Sequence, residues 1–158
     1  MFRKMRLIRQ QLSEKECIII LNHATSGVLA VLGDEGYPYA VPLSFAYQDS
    51  KIYFHGAKTG HKLDAIQNSD KASFCIIDRD QVMPEEFTTY YRSLIAFGRI
   101  RILEKEADKR RAVELLAEKY APGDEAGKIK YMEKEFAGVS VMELTIEHMT
   151  GKIASELL

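Results

Sequence analysis

Residues 53–66, YFHGAKTGHKLDAI, set His55, Lys58, His61 and Lys62 around a glycine-bearing bend. The stretch opens with the strand formers Tyr53 and Phe54 and closes in a helical pattern, where Leu63 and Ile66 recur three residues apart. If Thr59 or Gly60 caps that helix, the N–H groups of its first turn, the positive end of its dipole and the Lys62 ammonium converge. That combination suits a phosphate, with His61 as a further donor. The same residues also describe a solvated turn, and spacing alone leaves both readings open. His55, inside the strand, reads either as a core histidine satisfied by a carbonyl or as a group lining a cavity at the end of the sheet.

Other constellations carry less. Glu85 and Glu86 suggest acid–base work, but adjacent glutamates in the polar run 78–93, DRDQVMPEEFTTYYRS, read as a solvated loop. Lys109, Arg110 and Arg111 alternate with acids and describe a solvated helix face. The two cysteines, Cys17 and Cys75, lie in apolar runs far apart, as buried thiols of a reducing cytoplasm would, and no redox role is expected of them. With His23 and His148 isolated, no metal-ligand spacing appears. Walker, Gly-x-Ser-x-Gly and Gly-x-Gly-x-x-Gly patterns are absent. The formal net charge of −1 provides no global field toward nucleic acid or membrane, so an anion site must be local. The basic start, MFRKMRLIRQQ, is followed by no apolar run long enough for a signal peptide or membrane helix.

The elements that position these residues alternate along 158 residues, a length that fits one domain spanning 1–158. Ser13 with Glu16 three residues later is a capping-box spacing and starts a helix over about 13–23. GVLAVLG, PYAVPLSFAY and KIYFHGA follow as strands joined by GDEG and QDSK, linkers too short for anything but antiparallel hairpins. GHKLDAIQNS is a brief helix, and KASFCIID and SLIAFGRIRIL are strands, with a bulge or bend expected at Gly98. EKEADKRRAVELLAEKYA is an amphipathic helix with Ala112, Val113, Leu116 and Tyr120 on its apolar side, AGKIKYMEKEF is further helix, and VSVMELTIEHMTGK is the last strand. Six strands in mostly hairpin order with helices at the edges predict an α+β protein built on a small antiparallel barrel.

The run TSGVLAVLGDEGYPYAVPLSFAYQDSKIYFHGAKTGHKLDAI, then ASFCII, then FTTYYRSLIAFGRIRIL, resembles the pyridoxamine-phosphate-oxidase-like FMN-binding split barrels. Within them it is similar to the nitroimidazole-resistance branch, through GYPYAVPLS, IYFH, GHK and FTT…RS, and MFRKMR and HMTGK extend the likeness over nearly the whole chain.

The resemblance implies a six-stranded split barrel holding FMN between the subunits of a homodimer. It implies that the strand from Tyr39 to Ser44 lies along the flavin, with Val41, Pro42 and Leu43 giving backbone and apolar contacts. Phe54, His55 and Gly56 then run beside the ribityl chain and ring edge, and Ser93 falls where the oxidases place a flavin-contacting glutamine. His61 and Lys62 fall at the oxidases' Arg–Lys phosphate clamp, which resolves the opening bend as a phosphate cradle. Two departures count against oxidation of pyridoxamine phosphate. Tyr39 or a neighbour stands where the oxidases carry a phosphate-binding arginine, and their C-terminal arginine motif is absent. The implied activity is reduction of a small electrophilic acceptor such as a nitroimidazole, with His55 as proton donor or substrate-orienting group. A flavin store or redox sensor without catalysis, and a heme- or deazaflavin-binding relative, are the alternatives.

Overall fold

The computed structural model describes residues 1–158. Helix α1 (Glu14–His23) starts at the expected capping box: the Glu16 N–H donates to Ser13 Oγ at 3.3 Å, and the Ser13 N–H donates to the Glu16 carboxylate at 2.7 Å. Seven strands follow: β1 (Gly27–Leu32), β2 (Pro38–Leu43), β3 (Ala46–Gln48), β4 (Lys51–Ala57), β5 (Lys71–Met83), β6 (Thr88–Ile102) and β7 (Val139–Ile153). Helix α2 (His61–Asn68) lies between β4 and β5, and α3 (Glu106–Tyr120) and α4 (Glu125–Lys134) between β6 and β7. All neighbours in the sheet are antiparallel, in the order β2-β1-β5-β6-β7-β4-β3.

The α+β class and the antiparallel barrel strands are as the sequence predicts, with one strand more. PYAVPLSFAY is not continuous: the chain leaves β2 at Ser44 and re-enters the sheet at its opposite edge as β3. Between them Phe45 is fully buried, and its backbone N–H donates to the Tyr120 hydroxyl at 2.9 Å instead of to a strand. The sheet therefore closes without hydrogen bonds between β2 and β4, and this is the split in the barrel.

The expected loop at 78–93 is instead a long β-hairpin, with β5 and β6 paired from Lys71↔Arg99 to Met83↔Thr88. Its charges suggested solvent, yet several are matched on the ribbon: Arg92 pairs with Asp78, Arg79 donates to Gln81, and the Tyr90 hydroxyl donates to Glu86. A turn at Pro84–Glu86 ends with Phe87 in the left-handed region at φ 51°. The register shifts between Phe97 and Gly98 as expected, and a Cβ at Gly98 would collide with the Thr145 carbonyl oxygen.

The barrel interior centres on Phe74, which meets Phe45 and Phe54 edge-on, each at 5.0 Å between centroids. Each such buried ring contributes on the order of 1.5–3 kcal/mol. A second apolar cluster joins α3 to the outside of β4 and β7 through Tyr53, Val141, Ala112 and Val113. Cys17 is buried, but Cys75 is only half-buried because it faces outward from β5, a correction to the expectation for this thiol. No helix is long and apolar enough to cross a membrane.

Candidate functional site

The split exposes backbone on both sides. The Gly33 N–H donates to the Tyr37 carbonyl at 2.8 Å, and antiparallel alternation then commits Tyr39, Val41 and Leu43 to β1. Pro38, Ala40 and Pro42 turn their backbone to the free edge, where proline is tolerated because its nitrogen has nothing to donate. Across the split, β4 pairs with β3 only as far as Tyr53. The Val141 carbonyl accepts from Leu103 and the Ile146 N–H donates to Ser50, so in the pair His55↔Val141 the backbone of His55 points away from β7. Ala57 does the same. The seam thus offers the N–H groups of Ala40, His55 and Ala57 and the carbonyls of Pro38, Ala40, Pro42, His55 and Ala57.

Helix α2 closes one end of this seam. Gly60 is its N-cap at φ 136°, a conformation that side chains disfavour, and its carbonyl accepts from Leu63 and Asp64. Gly60, not Thr59, is thus the cap, and the N–H groups of His61 and Lys62 have no partner within the chain. The Lys62 side chain lies across Gly56: a Cβ there would sit 2.8 Å from Lys62 Nζ. Lys62 takes part in no salt bridge. Gly33 does the same for His61, whose Nε2 would meet a Cβ at 3.0 Å. Two glycines therefore make room for the two side chains at this helix end.

His61, expected as a donor, has one ring nitrogen engaged within the chain. The Asp34 N–H donates to His61 Nε2 at 3.2 Å, and the ring stacks on Tyr39 at 4.1 Å. Nε2 also lies 3.7 Å from the Asp34 carboxylate, but the closer backbone donor identifies it as an acceptor, leaving Nδ1 to donate.

The remaining predicted residues separate by strand alternation. Phe54 is fully buried in the barrel core, so only its backbone is near the seam. Val41 and Leu43 also pack inward, and Pro42 faces out. His55 points to the opposite face from Phe54 and Gly56, toward α3, where it lines a cavity with Ser44, Val113, Leu116, Ala117, Tyr120 and Tyr131. Its Nδ1 is buried without a hydrogen-bond partner. Burial first, and the nearby Lys62 charge second, hold its pKa below the ordinary histidine value, so the ring is neutral at pH 7. This helix wall escaped sequence reasoning, although the apolar spacing of Val113 and Leu116 was its signal.

Ser93 does not join the others. It sits on the outer face of β6, three strand spacings or about 14 Å around the sheet from β2. That outer face is unusual. From Ala30 across to Ile77, the outward positions of β2, β1, β5 and β6 are Ala, Pro, Val, Ser, Cys, Ile and Phe, and charge begins only at the next row, with Lys71 beside Leu32 and its partner Arg99. No three His, Cys, Asp or Glu side chains cluster as a metal site requires.

Residues 13–153 match the pyridoxamine 5'-phosphate oxidase family. The chain belongs to that family. Among solved structures, it is similar to a candidate 5-nitroimidazole antibiotic resistance protein from Bacteroides thetaiotaomicron, at 20% identity and TM-score 0.77, over 90% of this chain and 86% of that one. A FAD and heme binding protein from Mycobacterium smegmatis aligns at 23% identity and TM-score 0.80, over 92% and 74%. The flavocytochrome Anf3 from Azotobacter vinelandii aligns at 18% identity and TM-score 0.79, over 97% and 73%. No curated protein matches. At these identities the likeness establishes the split-barrel fold.

Proposed function

We propose that the protein is an FMN-binding flavoprotein that reduces a small-molecule electrophile of the nitroimidazole kind. The observation that carries this reading is the seam itself. Five unpaired backbone N–H groups (Ala40, His55, Ala57, His61, Lys62) converge with an unpaired lysine that a glycine admits across β4. The two N–H groups on α2, with its dipole and Lys62, suit the phosphate. The mixed donors and acceptors of Ala40 and His55 suit the polar edge of a flavin. The flavin and flavocytochrome relatives support this choice of ligand over other phosphates.

When bound, FMN supplies hydride or electron transfer, and the chain supplies position, electrostatics and exclusion of water. His55 is the proton donor or orienting group for the acceptor: it is neutral, half-buried and has an unmet ring nitrogen. The working unit is a homodimer. The apolar part of the outer face has the character of a protein interface, and Ser93 can approach a flavin only if a second copy presents that face. The cytoplasm, where thiols stay reduced, suits Cys17 and Cys75.

Titration of FMN and riboflavin by flavin fluorescence tests the reading. Lys62→Ala removes a charge-assisted hydrogen bond of about 1.5–3 kcal/mol, so FMN affinity falls about ten- to a hundredfold while riboflavin affinity barely changes. Lys58→Ala, at an exposed turn position, is the control. Equal, small effects from the two lysines would return the bend to a solvated turn.

A further inference from the structure

The cavity between β4 and α3 has an apolar wall with a single buried polar atom that lacks a partner. Its volume is about 190 Å³, and Val113, Leu116 and Ala117 form the helix side. The Tyr120 hydroxyl is already committed, accepting the Phe45 N–H and donating to the Thr25 carbonyl. His55 Nδ1 is buried and unpartnered, a state that costs free energy until something bonds to it. Lys62 lies along the other face of β4, against Gly56. Ser44 and His55 adjoin the seam, the first following β2 and the second lending its backbone to the free edge of β4.

Size and polarity together restrict the occupant. An apolar cavity of about 150 Å³ holds one benzene ring, so this one fits a single ring with small substituents. An ionised group would lose hydration against Val113, Leu116 and Ala117, with Lys62 held on the other face of β4.

We propose that this cavity binds a compact, uncharged monocyclic aromatic compound through one edge oxygen or nitrogen that accepts a hydrogen bond from His55 Nδ1–H. Occupancy does not need the flavin; only the compound's role as electron acceptor rests on the function proposed above.

The experiment titrates the full, flavin-free chain with nitrobenzene, toluene and 4-nitrobenzoate, following the methyl NMR signals of Val113, Leu116 and Ala117. Nitrobenzene is expected to shift all three and to bind about fivefold tighter than toluene, the scale of one net hydrogen bond. 4-Nitrobenzoate is expected to bind at least about tenfold more weakly than nitrobenzene. Ala117→Leu fills the cavity and abolishes binding of both neutral rings. His55→Phe keeps toluene binding and erases the preference for nitrobenzene, so the proposal stays testable even if Ala117→Leu fails to fold. Nitrobenzene no tighter than toluene, equal binding of the anion, or a preference that survives His55→Phe each overturn it. FMN titration of the same wild-type sample separates the two readings: ring binding without FMN binding removes the flavin function and leaves the cavity, and the reverse removes the cavity alone.

Discussion

The seam between β2 and β4 and the outward face of β2, β1, β5 and β6 are both incomplete surfaces, but they lack different things. The seam has backbone donors and acceptors without partners; the face has apolar side chains that Phe2 covers only at Phe97. Strand β2 belongs to both. Its backbone at Pro38, Ala40 and Pro42 opens in the plane of the sheet, while the side chains of the same residues stand perpendicular to it. One strand can therefore meet a polar small molecule along its edge and a protein surface on its side.

The largest expected effect comes from charging the face. Ile95→Glu places a carboxylate among uncharged neighbours, and an unpaired buried charge costs about 3–5 kcal/mol. The dimer dissociation constant is expected to rise about a hundredfold or more, read as a shift to monomer in sedimentation velocity. An unchanged dimer would place the interface elsewhere, and a monomeric wild type would remove it.

A smaller effect follows from editing the seam alone. Ala40→Pro deletes the only amide donor on the free edge of β2, at a parity where Pro38 and Pro42 are already accommodated. Melting temperature should hold while FMN affinity drops about three- to tenfold, the scale of one neutral hydrogen bond. If affinity is unchanged, the flavin does not use that edge.

The smallest effect is a pH dependence at the wall between the two regions. The His55 pKa lies below its ordinary value of 6.5, through burial first and Lys62 second. Below pH 6.5 the unfolded chain takes up a proton that the fold resists, so stability falls as the pH drops through that value. Thermal melts of wild type and His55→Phe should diverge as the pH falls from 7 to 5, with the wild type losing more. Parallel curves would mean that His55 protonates freely in the folded state.

The parts of this architecture legible in the sequence are those written in local spacing. Ser13 and Glu16 declare α1, the short linkers at 33–36 and 48–51 declare antiparallel pairing, and the bulge sits at Gly98. The break at Ser44–Phe45 was hidden because PYAVPLSFAY has strand propensity throughout, and only the distant Tyr120 hydroxyl takes Phe45 out of the ladder. The hairpin at 78–93 was hidden because its composition is polar, and the Arg92–Asp78 pair across the ribbon is visible only once the ribbon exists. At the site, the glycine-bearing bend pointed to Lys62, and the family likeness supplied the expected ligand. The space that Gly33 and Gly56 leave for His61 and Lys62 comes from residues far apart in the chain. The same holds for the partition of Phe54 from His55, which depends on what each face of β4 meets.

The Tyr120 hydroxyl has a wider consequence. It accepts the Phe45 N–H and lies within 3.0 Å of the Phe45 carbonyl and 2.5 Å of the Thr25 carbonyl, at the point where the chain steps from one edge of the sheet to the other. The same side chain ends α3, and the neighbouring Lys119 ammonium rests 3.7 Å from the Phe45 ring centroid. Withdrawing the C-terminal end of α3 would strand the Phe45 amide in a dry interior and release the crossing segment with it. One hydroxyl therefore joins the segment that crosses between the barrel's edges to the helix that roofs the chamber.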